Sequence, residues 1–302
     1  MIQPILLDYN LHEDVVAFST TRRGGFSTGA YGEFNINRYC GDDAEAIRKN
    51  RALLCQQLGI SDDRLIMPHQ VHLAQSARID EAFLALSEED RQTRLEGIDA
   101  VMTHLTDVCI GVSTADCIPL LVYDPRQHAV AAIHAGWRGT VQRIAQQTIA
   151  DMTAAYGSQP ADLCVQIGPG ISLDSFEVGD EVYEAFAREG FPMEQICKRY
   201  PTNDDGSKLF TSFPSKARPL DLWSPARQES VAIHSSRFTS KWHIDLPECN
   251  RWQLIAAGVP DPHITVADIC TVKQSETFFS ARRLGIQSGR IFTGIIRKHS
   301  NI

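Results

Sequence analysis

A compact, layered α/β domain is the fold class that this 302-residue chain predicts, and three features carry the prediction. Apolar runs of strand length cluster between Asp99 and His134. Segments with helical spacing of apolar residues lie on either side of them. The two kinds of segment also alternate along the chain instead of separating into halves. Apolar residues make up 43% and charged residues 22%, a balance that suits a buried core and excludes disordered or fibrous classes. A chain this long needs no disulfide or metal staple to hold that core.

Taken in order, Ala44 to Leu58 reads as a helix, with Asp42 or Asp43 as cap, Ile47, Leu54 and Leu58 on one face and Gly59 as the stop. Gln70 to Ile79 reads as extended chain. Val108 to Val112, Pro119 to Tyr123 and Ala129 to His134 read as strands, the last two joined by a turn at Asp124-Pro125-Arg126. Thr140 to Tyr156 reads as a helix, Leu163 to Ile167 as a buried strand, and Gly179 to Arg188 as a helix after a Gly168-Pro169-Gly170 loop. Residues 200–240 are polar, proline-interrupted and irregular, which predicts a surface elaboration. A helix over Pro247 to Ala257, stopped by Gly258, precedes a strand near His263 to Val266, and the tail Phe278 to Ile296 closes the domain. Repeats, low-complexity tracts and linkers are absent, so residues 1–302 are expected to form one domain.

The net charge of −8, with Lys and Arg scattered, offers no basic stripe for a nucleic-acid partner. Met1 to Asn10 shows no basic segment followed by an apolar run, and no later stretch approaches the ~20 apolar residues of a membrane span. The eight cysteines form no C-x-x-C pair, as expected of free thiols in a reducing, cytoplasmic setting.

The candidate chemistry lies with histidine and cysteine. His72 sits in Pro68-His69-Gln70-Val71-His72, Cys117 in Thr114-Ala115-Asp116-Cys117-Ile118-Pro119, and His134 in Ala132-Ile133-His134-Ala135-Gly136-Trp137-Arg138. Cys117 and His134 fall at the ends of two adjacent predicted strands, where side chains can meet. Two His and one Cys around an open position form a set that zinc uses for catalysis, but the gaps between these residues match no local metal signature. By spacing alone each reads more readily as a satisfied core residue than as a ligand. His69, three residues from His72 on a predicted strand, should point to the opposite face. Asp116 either orients a ligand histidine or caps a turn, and Cys270 reads as a buried hydrophobe.

The run TADCIPLLVYDPRQHAVAAIHAGWRGT, from Thr114 to Thr140, resembles the hallmark of the YfiH-like family, also called the multicopper polyphenol oxidase or laccase-domain family. The likeness extends over Thr21-Arg22-Arg23-Gly24-Gly25-Phe26-Ser27, His69-Gln70-Val71-His72, Asp99-Ala100-Val101-Met102-Thr103, Ile167-Gly168-Pro169-Gly170-Ile171, Phe278-Phe279-Ser280-Ala281-Arg282-Arg283 and Gly289-Arg290, in the family's order. It implies an α/β fold shared with the cytotoxic necrotizing factor catalytic domain and a metal held by His72, Cys117 and His134. Leu73 departs from the family, which usually has glycine after that histidine.

The resemblance also implies zinc-dependent purine nucleoside phosphorolysis of inosine, guanosine or adenosine, with adenosine deaminase and methylthioadenosine phosphorylase activities beside it. The partners would then be a small-molecule nucleoside and phosphate. Arg22, Arg23 and Arg138 are candidates for the phosphate, Arg138 beside a glycine-bearing turn into a helix; the alternative is structural ion pairing. One rival reading is a copper polyphenol oxidase, since a His2Cys set also suits Cu2+, although the ten histidines include no His-x-His pair for a multicopper cluster. A second is a metal-free cysteine hydrolase with Cys117 as nucleophile. A third is a binding module with a structural zinc, which would need a fourth ligand.

Overall fold

A computed structural model of the chain describes residues 2–202 and 239–298. Its strands are β1 (Leu6–Tyr9), β2 (Val15–Thr20), β3 (Leu65–Ile66), β4 (Ser76–Arg78), β5 (Ala100–Thr103), β6 (Cys109–Thr114) and β7 (Ile118–Asp124), followed by β8 (Ala129–Ala135), β9 (Cys164–Ile167), β10 (Glu177–Val178), β11 (Cys197–Thr202), β12 (Thr239–Ile244), β13 (Ile264–Val266) and β14 (Ile291–Arg297). They form a five-stranded sheet ordered β1-β2-β14-β6-β3, a six-stranded sheet ordered β13-β9-β7-β8-β5-β4, and a small sheet ordered β10-β12-β11. The centres of both large sheets are antiparallel; parallel pairs occur only at their edges.

The α/β expectation is met, and the side-chain alternation of period two explains how the layers stack. In β7, Ile118, Leu120 and Val122 face one way, with Ala131 and Ile133 of β8, and pack on the helices Ile144–Tyr156 and Leu246–Ala256 through Ile149, Met152, Cys249 and Leu254. Leu121 and Tyr123 face the other way and meet Val15, Ile110, Val112 and Ile295 of the five-stranded sheet. That sheet's outer face, with Phe18, Cys109 and Phe292, packs on Leu54 and Cys55 of the helix Ala44–Leu58. The order is therefore helix, sheet, sheet, helix. A strand buried on both faces cannot alternate polar and apolar residues, which is why β7 and β8 read as continuous apolar runs.

The first helix has the bounds its sequence predicts: the Asp43 carboxylate accepts from Ala46 N–H, and Gly59 closes the helix at φ 70°. Elsewhere the structure corrects the reading. Of Gln70 to Ile79, only Ser76–Arg78 is strand, and residues 68–75 form a loop. The helix read over Thr140 to Tyr156 is two, Trp137–Val141 and Ile144–Tyr156, broken where Arg143 turns left-handed at φ 67°. The tail contains a short helix, Ala281–Leu284, before β14, which lies inside the five-stranded sheet between β2 and β6. The ends of the segment read as irregular over 200–240 are strand, in β11 and β12; the rest of it lies outside the described residues. No helix among the described residues is long and apolar enough to cross a membrane.

Candidate metal centre

β6 and β7 are consecutive strands but belong to different sheets, so residues 115–117 carry the chain across one end of the sandwich. Cys117 lies on this crossing. His134 lies on β8 opposite Pro119 of β7, so strand pairing brings it to the same end. His72 arrives from the loop after β3 and adopts φ 65°, a left-handed conformation that non-glycine residues rarely take.

The three side chains meet. One ligand atom from each of His72, Cys117 and His134 lies within 4.8 Å of the other two, and the imidazole centroids are 4.8 Å apart, inclined at 75°. His134 is 3% exposed, residue Cys117 is half-buried and His72 is exposed, so the cluster is approached from the His72 side. Gly136 closes the other side: a Cβ there would come within 2.8 Å of His72 Cδ2 and 3.0 Å of Cys117 Sγ.

Asp99 organises the site. Fully buried just before β5, it accepts four hydrogen bonds: His134 Nδ1 (2.7 Å) and His72 N–H (3.0 Å) on Oδ1, Val71 N–H (3.2 Å) and Leu73 N–H (2.8 Å) on Oδ2. One carboxylate thus pins the loop that bears His72 and fixes the ring of His134. A carboxylate only accepts, so His134 Nδ1 carries the proton and Nε2 is left with the lone pair a metal needs. Gln70 adds a second clasp, its side chain donating to Ser113 carbonyl and accepting from Ser113 N–H.

Burial opposes the charge on Asp99, but the His134 hydrogen bond and charge and the backbone donors overcome it and hold its carboxyl below the usual range. Burial likewise raises the Cys117 thiol, and the two imidazoles outweigh it, leaving the thiol at about 6. His134, disfavoured as a cation by burial but held by Cys117 and Asp99, is raised to about 9. Without metal the pair is a thiolate beside an imidazolium, and the thiolate is the form a metal binds.

The other residues singled out from the sequence fall outside the cluster, His69 in the wall of the same cleft. His69 lies outside the cluster; its Nδ1 meets the Glu96 carboxylate at 2.7 Å and its ring stacks on Tyr39 at 4.0 Å. The left-handed turn at His72, within a loop, separates the two histidines, where the sequence suggested opposite faces of a strand. Asp116 has a capping role: it accepts from Arg282 N–H at the start of a helix and from Thr271 Oγ1, and the carboxylate that orients His134 is Asp99. The signal available for Asp99 was an acidic residue directly before the mostly apolar strand Ala100–Thr103. Cys270 is buried against Ser175. Leu73, 45% exposed, does not line the cleft at the cluster.

That cleft has a volume of about 320 Å³, within the usual range for small-molecule sites, and its walls include Asn37, Tyr39, Gln70, Thr114, Ile286 and Arg290 beside the three donors. The Thr114 hydroxyl is buried with no hydrogen-bond partner among the described residues. None of Arg22, Arg23 and Arg138 lines it. Arg22 donates to the Gly32 and Ser275 carbonyls and lies over Phe279. Arg23 pairs with Glu33 and Glu276, and Arg138 is exposed over Trp137.

Residues 16–232 and 223–298 match the family described as multi-copper polyphenol oxidoreductase laccase. A purine nucleoside phosphorylase of Bacteroides thetaiotaomicron is 42% identical over 285 residues, covering 94% of this chain and 92% of that protein. Adenosine deaminase RL5, from an unknown prokaryotic organism, is 41% identical and covers 95% of each chain. The crystal structure of YlmD from Geobacillus stearothermophilus superposes with a TM-score of 0.76 at 28% identity, over 96% of this chain and 94% of that one.

Proposed function

The chain belongs to the multi-copper polyphenol oxidoreductase laccase family, the YfiH-like proteins, and from that membership we propose that it is a zinc-dependent purine nucleoside phosphorylase that also deaminates adenosine. The phosphorylase reaction takes inosine, guanosine or adenosine with phosphate to the free base and ribose 1-phosphate, and methylthioadenosine is a further substrate. The observation that carries this reading is the convergence of His72, Cys117 and His134 at the floor of one cleft, joined to the names of the relatives.

The donor set suits a metal. Two imidazoles and a thiolate match zinc's preference for nitrogen and sulfur, and three protein ligands leave a position for chemistry. Zinc held there would supply a Lewis acid and lower the pKa of a bound water to ~7. The chain's own contribution is positional. Asp99 keeps the proton of His134 on Nδ1 and fixes the backbone of His72, while the thiolate of Cys117 needs no proton acceptor at neutral pH. Among the described residues this is the only cluster of three or more His, Cys, Asp or Glu side chains suited to an ion, which favours a single metal over the several coppers of an oxidase.

A second reading draws on the same geometry: Cys117, His134 and Asp99 are arranged as nucleophile, base and orienting carboxylate, as a thiol hydrolase requires. His72 on the same sulfur is superfluous to a hydrolase and necessary to a metal site. Incubating metal-analysed protein with inosine and with adenosine, each with and without phosphate, tests the proposal. Phosphate-dependent formation of ribose 1-phosphate that stops on chelation is expected; turnover that survives complete metal removal would show that the metal reading is wrong.

A further inference from the structure

We infer that Arg290 is the anion-binding residue of the cleft, seating a phosphate oxyanion beside the His72–Cys117–His134 cluster. The inference rests on the phosphorylase reading for the identity of the anion, and on the following geometry for its place.

Arg290 is the one Lys or Arg residue in the wall of the cleft, and that wall includes no Asp or Glu. In a chain with net charge −8 this is a local reversal of sign. The side chain is built into its place. It stands directly before β14, with its backbone N–H on Asn35 Oδ1 at 3.1 Å. Nη1 donates to the Ser288 carbonyl at 2.5 Å and the Gly289 carbonyl at 3.0 Å, and Nη2 to the Ile286 carbonyl at 2.9 Å. These carbonyls orient the guanidinium without neutralising it, and no carboxylate lies within 4.0 Å of it among the described residues.

Of the five guanidinium N–H donors, the Nε–H makes none of these contacts, and Nη2 keeps a second hydrogen. An oriented, uncompensated guanidinium with donors to spare is the group that recognises phosphate by paired, charge-assisted hydrogen bonds. The phosphate assignment thereby passes from Arg22, Arg23 and Arg138, which are outside the cleft wall, to a residue that the sequence set in a family motif without a role.

The test uses full-length, metal-loaded protein and compares wild type with Arg290→Gln and Arg290→Lys. Three quantities are read: the KM for phosphate in inosine cleavage, the phosphate-independent deamination of adenosine, and the rise in Tm produced by added inorganic phosphate. Arg290→Gln should raise the phosphate KM about 10- to 100-fold and abolish the phosphate-induced rise in Tm, with the loss in phosphate-dependent cleavage exceeding any loss in deamination. Arg290→Lys, which keeps the charge but not the fork, should fall between. An unchanged phosphate KM in Arg290→Gln, or a parallel fall in both activities, would overturn the assignment. Should wild type cleave no inosine at all, the phosphorylase reading fails by itself. The Tm measurement then still decides whether Arg290 binds the anion: loss of the shift in Arg290→Gln supports it, and an undiminished or absent shift refutes it.

Discussion

Replacing Asp99 by Asn removes one charge and almost no volume, so its consequences follow from hydrogen-bond direction alone. The native carboxylate accepts four hydrogen bonds and is fully buried. With the amide oxygen kept toward His134 and His72 N–H, the NH2 group faces the N–H groups of Val71 and Leu73, and two donor pairs are left opposed. In the flipped orientation the NH2 faces His134, which can then accept on Nδ1 only by moving its proton to Nε2, the nitrogen a metal needs. Hydrogen bonds to a charged group contribute ~1.5–3 kcal/mol each, so losing two costs about 3–6 kcal/mol, comparable to breaking a buried charged pair. We expect the metal-free variant to melt roughly 5–10 °C below wild type and its zinc affinity, measured by competition with a chromogenic chelator, to fall ~10- to 100-fold. An affinity within twofold of wild type together with an unchanged Tm would refute the role assigned to Asp99.

In metal-stripped protein, Cys117 should titrate near 6, followed by thiolate absorbance or by the pH dependence of alkylation. Because its folded pKa is depressed, the thiolate's contribution to stability is complete above the ordinary thiol value and disappears as pH falls through about 6, while that of His134, raised to about 9, disappears as pH rises through that value; a Cys117 midpoint near 9 would contradict the pairing. Gly136→Ala changes no backbone preference, since φ is −71°, yet its methyl would crowd His72 and Cys117. Metal affinity and turnover should drop ~10- to 100-fold with little loss of Tm, and normal metal binding would mean that the cluster yields freely. Thr114→Val deletes a buried hydroxyl without a partner among the described residues and should raise the Tm by a few degrees, ~1 kcal/mol; a lower Tm would show that the hydroxyl is bonded.

The local elements were legible because local interactions make them. Asp43 and Gly59 bound the first helix through contacts within a few residues, and the apolar runs of β7 and β8 announce strands covered on both faces. Where a helix-like pattern ran through Arg143 without a break, no local signal marked the turn that divides it. Cys117 and His134 were legible as neighbours because a hairpin joins their strands, and the family resemblance joined His72 to them.

The tertiary structure alone decided which strands share a sheet, since β6 and β7 are successive in sequence and separate in space. It also decided the places of Asp99, whose partners lie 26 to 35 residues away, and of Arg290, which reaches the cleft from the last strand's entrance. The physical reason is common to these cases. Strand and helix propensities are set by a residue's own backbone and immediate neighbours, whereas the orientation of a ligand ring and the charge of a cleft are sums over side chains that only folding brings within hydrogen-bonding distance.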